Sequence, residues 1–327
     1  MSPRARVALV VAALAVTAAV AVAGATVLSA DESDAPATGA EPAAPRAGAP
    51  PFVLELGFRD EPGALALREG DRLYRAGRRR EAKAIFAREE SLEAKLGTAF
   101  AAWPGTLPRV EQLGALYPRS AFVQLHVGLA RFWAGEPGAL DAWREARDVE
   151  PDTPYAVRAG DLLHRDFAPG LPFFQPATPL GAAIDGKPSR EQFELLREAA
   201  TNRGGLGDRL YYGLALQRLG RPVSARRVYS AAAVAYPDDV EALVAGAVGR
   251  YSKESTVEAF SRLGPLSRRF PQAATVRFHL GLLLLWQADV AAARKQLRLA
   301  VSTQPDSRLA REAERYLGEL AKTAGTR

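Results

Sequence analysis

The chain has 327 residues, of which 48% are hydrophobic and 24% are charged, and its formal net charge is +6. It contains no cysteine, which excludes disulfide frameworks, thiolate nucleophiles and cysteine-ligated metal sites. With only three histidines, a zinc site would need carboxylate ligands as well. The apolar content is sufficient for a sizeable core.

Residues 1–30 contain an apolar run, residues 7–28, without charge or proline. As a helix this run would be about 33 Å long, close to the thickness of one bilayer core. Arg4 and Arg6 precede it and acidic residues follow it, which predicts an N-terminus in the cytoplasm and the remaining chain outside. The Ala- and Arg-rich composition indicates a bacterial source, so we expect a single-pass protein of the bacterial cytoplasmic membrane.

The same segment also has features of a cleaved secretory signal. The stretches 21–23 and 23–25 both have the small-x-small form that a signal peptidase accepts. Cleavage there would give a secreted protein, and both alternatives predict export. Residues 31–52 are rich in Ala, Pro and acidic residues without apolar periodicity, which predicts a flexible spacer that cannot bury a core.

Small residues and prolines recur every 34 positions in the C-terminal half of the chain. The recurring positions form three series: Pro237, Pro271 and Pro305; Ala225, Ala259 and Ala293; Gly213, Ala247 and Gly281. These series predict three consecutive helical hairpins over residues 206–239, 240–273 and 274–307.

The period and the residue types resemble the tetratricopeptide repeat (TPR) family. The resemblance implies an all-α, right-handed solenoid, which we expect over residues 53–327. Less regular copies precede the three clear ones, with Gly70 and Phe86 in one and Gly128 and Trp143 in another. Residues 307–321 have an apolar stripe and a charged face, which predicts a helix that caps the last repeat.

Between residues 151 and 206 the register is lost. Two helical patterns flank a proline-rich stretch, residues 168–188, which contains Phe173 and Phe174. We interpret this region as one repeat with a loop inserted between its two helices. Because apolar rings favour burial, we expect Phe173 and Phe174 to dock somewhere rather than to lie in a disordered loop.

The resemblance implies that the first helix of each repeat lines a concave groove. Members of the family that bind a partner's C-terminal carboxylate use Lys and Asn there, and this chain has apolar residues instead, so that activity is not carried over. An apolar groove favours a partner helix or extended segment, or else the chain's own insert. The predicted groove residues are Leu210, Leu214, Gln217, Val244, Val248, Tyr251, Phe278, Leu282 and Leu285.

No constellation of residues predicts catalysis, a metal or a cofactor. His126 and His279 hold the same position in their repeats, two residues before the first glycine, and we expect them to be packed or superficial. The basic residues are scattered, which disfavours nucleic-acid binding. A weak contact with anionic lipid or a wall polymer is a further expectation. The predicted function is therefore a non-enzymatic scaffold that binds a protein or peptide.

Two other classes of function stay open at this point. An enzyme would need a site built around the 168–188 insert with nearby acids such as Asp161 and Asp185. A polymer-binding module would need an exposed face shared by the four tryptophans, Trp103, Trp133, Trp143 and Trp286.

Overall fold

The computed structural model describes residues 44–202 and 204–325, with side chains described as far as Lys322. Throughout these residues the only regular secondary structure is helical, which confirms the predicted all-α class. The described chain divides after Leu163 into two compact units. We call residues 44–163 the first unit and residues 164–325 the second unit.

The first unit begins with an extended stretch and continues as three helical hairpins and a single last helix. In the hairpins α1 packs on α2, α3 on α4 and α5 on α6, and α7 then packs on α6 and α5. The helices are α1 Pro62–Arg75, α2 Arg79–Phe86, α3 Leu92–Ala101, α4 Leu107–Leu116, α5 Ala121–Ala134, α6 Ala139–Val149 and α7 Pro154–Leu163.

The second unit has the same plan with one additional helix, α8, which follows its extended stretch. Here α8 packs on α9, the hairpins are α9–α10, α11–α12 and α13–α14, and α15 closes the unit against α14 and α13. The helices are α8 Ser189–Thr201, α9 Leu206–Arg218, α10 Pro222–Ala235, α11 Val240–Val248, α12 Val257–Arg269, α13 Ala274–Trp286, α14 Val290–Thr303 and α15 Arg308–Gly325.

Local sequence accounts for the helix ends. The side chain of Ser120 caps α5 by accepting from the Val123 N–H, and Asp239 caps α11 by accepting from the Ala242 N–H. Pro222 lies in the first turn of α10, where its missing N–H costs nothing. Gly135 ends α5 in the left-handed conformation, at φ 74°, which favours glycine.

Glycines bring the two helices of a hairpin together. A Cβ added to Gly213 would lie 2.2 Å from Cε1 of Tyr229, and one added to Gly70 would lie 2.6 Å from Cε1 of Phe86. Both aromatic rings are fully buried. The spacing of small residues that revealed the repeats therefore has a direct steric cause.

The domain organisation differs from the prediction of one solenoid over residues 53–327. Hairpins α9–α10, α11–α12 and α13–α14 occupy the stretches 206–239, 240–273 and 274–307, and α15 lies where the cap over 307–321 is predicted. The two helices interpreted as one interrupted repeat, α7 and α8, instead belong to different units. The residues between them are thus the start of the second unit and not an insertion.

The N-terminal predictions fall largely outside the described residues. This holds for the apolar run 7–28 and for residues 31–43 of the predicted spacer. No helix in the described part of the chain has both the length and the apolar character that a membrane span requires. The end of the predicted spacer folds onto the first unit, because the Arg46 N–H donates to the Trp133 carbonyl at 2.8 Å and Phe52 is only 4% exposed. The spacer prediction is wrong for residues 44–52.

Candidate functional site: an extended segment in each groove

Each unit contains an extended segment whose residues are buried alternately. In the first segment, residues 50–56, the even-numbered residues are buried and the odd-numbered ones are partly exposed. In the second segment, residues 172–178, Pro172, Phe174 and Pro176 are buried in the same alternation. This period of two is typical of an extended chain with one face against a core.

Phe174 is the anchor of the second segment. Its ring is fully buried, with centroids 4.8 Å from the imidazole of His279 and 5.5 Å from the ring of Tyr229. The His279 ring is stacked on it with an interplanar angle of 14°.

His279 forms a hydrogen bond with the main chain next to Phe174. The Gln175 N–H donates to Nε2 of His279 at 2.9 Å, and Nδ1 of His279 lies 2.7 Å from the Thr275 carbonyl oxygen. Because an amide N–H can only donate, Nε2 must be unprotonated and Nδ1 carries the proton that Thr275 accepts. Burial lowers the pKa of His279 to about 4, so the ring is neutral at neutral pH.

Further polar side chains bind the main chain on either side of Phe174. Gln217 accepts from the Phe174 N–H at 2.9 Å and donates to the Pro172 carbonyl at 3.3 Å. Glu241 accepts from the N–H of Ala177, and burial raises the pKa of the Glu241 carboxyl. Arg308 donates to the carbonyls of residues 176 and 178, at 3.0 and 3.2 Å.

The first groove holds Phe52 in the same manner. The centroid of the Phe52 ring lies 5.4 Å from that of Phe86 and 5.0 Å from that of His126. In addition to the imidazole, the ring contacts four aromatic side chains: Tyr74, Phe86, Phe100 and Phe122. The aromatic contacts are edge-on or tilted, which is the arrangement that ring quadrupoles favour.

His126 repeats the role of His279. The Val53 N–H donates to Nε2 of His126 at 3.1 Å, and Nδ1 of His126 lies 2.7 Å from the Phe122 carbonyl oxygen. Burial lowers its pKa to about 4 as well. Tyr155 binds the main chain of Glu55, accepting from its N–H at 3.2 Å and donating to its carbonyl at 3.1 Å.

The contact residues of the two grooves correspond along the chain. His279 follows His126 by 153 positions, and Arg308 follows Tyr155 by the same interval. In the first hairpins, Tyr229 follows Phe86 by 143 positions, and Gln217 follows Tyr74, which donates to the Pro50 carbonyl, by the same 143. Two different segments are thus held by side chains at corresponding positions, of which only the histidines are identical in both units.

The groove residues predicted from the repeat pattern all belong to the second unit, as does the second segment. Gln217 is partly exposed and binds the segment directly, while the remaining eight are at most 6% exposed. Leu214 shares a small cluster with the partly buried Phe173, and the other seven share the core that contains Phe174, namely Leu210, Val244, Val248, Tyr251, Phe278, Leu282 and Leu285. The chain's own segment, one of the two occupants considered, shares its core with seven of these residues and is hydrogen-bonded to Gln217.

Sequence reasoning missed the first segment and the part played by the histidines. Residues 50–52 fall at the end of the stretch 31–52, whose content of Ala, Pro and acidic residues predicts a spacer. The signal that could have revealed them is a shared pattern, Pro-x-Phe, which occurs at Pro50 and Phe52 and again at Pro172 and Phe174.

The acids considered for an enzyme belong to different units. Asp161 belongs to the first unit, where it is 6% exposed and lies 3.6 Å from Arg158. Asp185 belongs to the second unit and is exposed. Within the described ranges no group of three metal-ligating side chains is found.

The tryptophans do not form the exposed face that a polymer-binding module would need. Trp103, Trp143 and Trp286 are at most 6% exposed, and Trp133 is partly buried. Trp103 and Trp133 line a cleft of about 480 Å³ in the first unit together with Arg46 and Arg79.

Comparison with known proteins leaves the family open. No protein-family model matches the chain, and no curated protein matches it. One solved structure that is similar is titled "Crystal structure of APC/C hetero-tetramer Cut9-Hcn1", with 15% sequence identity and a TM-score of 0.26. The match covers 77% of this chain and 55% of that one, so the chain spans about half the length of its structural relative.

The fold is tetratricopeptide-like. This assignment rests on the consecutive helical hairpins and their 34-residue period, since so distant a structural likeness adds no argument of its own.

Proposed function

We propose that this protein is a non-enzymatic interaction scaffold on the extracytoplasmic side of a bacterial membrane, and that the groove of its second unit binds an extended segment of a partner protein. The apolar run 7–28 would hold it in the membrane, with the two units outside. If that run is cleaved, the same scaffold is secreted.

The observation that carries the proposal is the chemistry of the groove. Gln217, Glu241, His279 and Arg308 all bind main-chain atoms of the segment in the groove. Main-chain hydrogen bonds are available to any extended peptide, and a pocket for an alternate side chain adds selectivity. A surface that holds the chain's own segment in this way is suited to a partner segment that replaces it.

The test uses the full chain with Phe174→Ala and Gln175→Pro, which removes the anchoring ring and the N–H that His279 accepts. We call this the released variant. A photo-crosslinking amino acid is placed at Leu214, and captured material from intact cells is identified by mass spectrometry. We expect capture of an extracytoplasmic protein through an extended segment, and more of it in the released variant than in the parent chain.

A matched control places the same amino acid at Val234, which is 81% exposed on α10. The protein captured at Leu214 should be absent there. Capture of nothing but residues 168–188 of the same chain, in both the parent and a folded released variant, would contradict the proposal and would assign the groove to an internal structural role.

A further inference from the structure

Building on the proposed function, we infer that both grooves recognise one sequence pattern, Pro-x-Phe-x. The residue after Phe must carry a main-chain N–H. The partner segment therefore contains a Phe that is not followed by proline. The two segments differ at most other positions but agree at these. Agreement between two separately built grooves argues that the pattern is what the grooves select.

The buried site that holds the Phe ring is the first element of this selectivity. Phe52 and Phe174 each enter a closed site formed by a buried imidazole and by the aromatic residue that packs under the glycine of the first hairpin, Phe86 or Tyr229. An aliphatic side chain would leave part of that volume empty, and unfilled buried volume is costly.

The second element is the N–H after the ring. In each groove the imidazole donates through Nδ1 to a carbonyl of its own helix, which leaves Nε2 as an acceptor aimed at the segment. A proline at position 53 or 175 would remove the only donor described for that acceptor and leave a buried nitrogen unsatisfied. The side chains of Val53 and Gln175 are partly exposed, so this position tolerates other residues.

The third element is the proline two residues before the ring. Pro50 and Pro172 are buried, and their carbonyls accept from Tyr74 and Gln217, at 2.6 and 3.3 Å. The fixed φ of proline favours an extended chain before binding, which lowers the entropy lost on docking.

The experiment measures peptide binding to the full-length released variant by fluorescence anisotropy. The probe is a labelled peptide with the sequence of residues 168–180, compared with peptides carrying Phe174→Ala, Gln175→Ala or Gln175→Pro. We expect the Gln175→Ala peptide to bind like the parent peptide. The Gln175→Pro and Phe174→Ala peptides should each bind at least about tenfold more weakly, the effect of one unsatisfied buried acceptor or one vacated ring site.

A variant on the protein side isolates the hydrogen bond from other effects of proline. The substitution His279→Leu in the released variant fills the site with a side chain that has no hydrogen-bond acceptor. The Gln175→Ala and Gln175→Pro peptides should then bind to it with affinities within about twofold of each other. The parent chain is titrated in parallel, where the same order of affinities is expected at weaker overall binding. The titrations of the parent chain still rank the four peptides if a variant does not fold.

The outcomes separate the two proposals. Binding of all four peptides with equal affinity would overturn the Pro-x-Phe-x inference while leaving the groove as a peptide site. Equal discrimination against Gln175→Pro with and without His279 would overturn the role of the histidine. Absence of binding by every peptide, to folded variant and parent alike, would overturn the proposed function and the inference with it.

Discussion

The ring of Phe174 lies nearly parallel to the imidazole of His279, with 4.8 Å between their centroids, while the same imidazole accepts the N–H of the next residue. Phe52 and His126 make the corresponding pair in the first unit, at 5.0 Å but with their rings tilted by 49°. Each histidine thus contacts both the side chain and the main chain of its segment. The protonation state of these two rings is therefore coupled to the docking of both segments.

Stability should fall as the pH drops from 6.5 to 4. Burial lowers the pKa of His126 and His279 from 6.5 to about 4, so in this range the unfolded chain takes up protons that the folded chain does not. Each histidine then costs about 1.4 kcal/mol of unfolding free energy per pH unit. The measurement is urea unfolding, followed by circular dichroism, at pH 7 and pH 5.

Three carboxyls oppose this trend and require a matched control. Burial raises the pKa of Glu55, Asp71 and Glu241, so their protonation favours the folded state as the pH falls. The double variant His126→Gln, His279→Gln keeps a polar side chain that can accept but does not titrate. Its stability should depend less on pH, and an unchanged pH dependence would show that the histidines are not responsible.

Replacing the ring of Phe174 should destabilise the second unit strongly. Phe174→Ala removes a fully buried ring and is expected to cost about 3–5 kcal/mol of unfolding free energy. Phe173→Ala is the matched control, because Phe173 is partly exposed and should cost clearly less. Equal losses in urea unfolding would mean that Phe174 does not anchor the segment.

The glycine at the first hairpin of the second unit should not accept a methyl group. A Cβ at position 213 would lie 2.2 Å from Cε1 of Tyr229, whose ring is buried and whose hydroxyl donates to Gln217 at 3.0 Å. We expect Gly213→Ala to cost about 1–3 kcal/mol through overpacking.

Gly318→Ala provides the opposite expectation in the same unit. Gly318 lies on the exposed side of α15 with open space around it, so alanine should stabilise the helix by about 0.5–1 kcal/mol. Thermal unfolding of both variants should therefore shift in opposite directions. A loss in both would point to a general sensitivity of the unit rather than to the contact with Tyr229.

The predicted anchor is tested by fractionation of cells. If residues 7–28 span the membrane, the full chain should stay with membranes after alkaline carbonate extraction, and deletion of residues 1–30 should release it. N-terminal sequencing that finds a mature protein beginning near Gly24 or Thr26 would replace the anchor with a cleaved signal.

The hairpins could be predicted because their cause is local. Glycine or alanine must stand where two helices touch, so positions such as Gly213 and Gly281 recur with the period of the repeat. The docking of Phe174 was expected for a similar reason, since adjacent aromatic rings rarely lie in solvent. These inferences needed only the residue types and their spacing.

The segments and the boundary between units could not be obtained in that way. Residues 50–56 contact side chains as distant along the chain as His126 and Tyr155, and nothing near Phe52 in the sequence indicates those partners. His126 and His279 share a repeat position, but that position does not identify the main-chain N–H that each imidazole accepts. The division after Leu163 depends on which helices pack together, which a lost repeat register does not reveal.

Each segment is part of the same chain as its groove. It therefore competes intramolecularly with any other peptide for binding to that groove. Only ten residues lie between Thr178 and Ser189, where α8 begins, and short tethers of this kind give effective concentrations on the order of millimolar. A free peptide of equal intrinsic affinity would therefore occupy half of the grooves only at a similar concentration. The tether thus raises the peptide concentration that is needed to displace the chain's own segment. Partners that bind more tightly, or at several points, are favoured over short peptides that bind weakly.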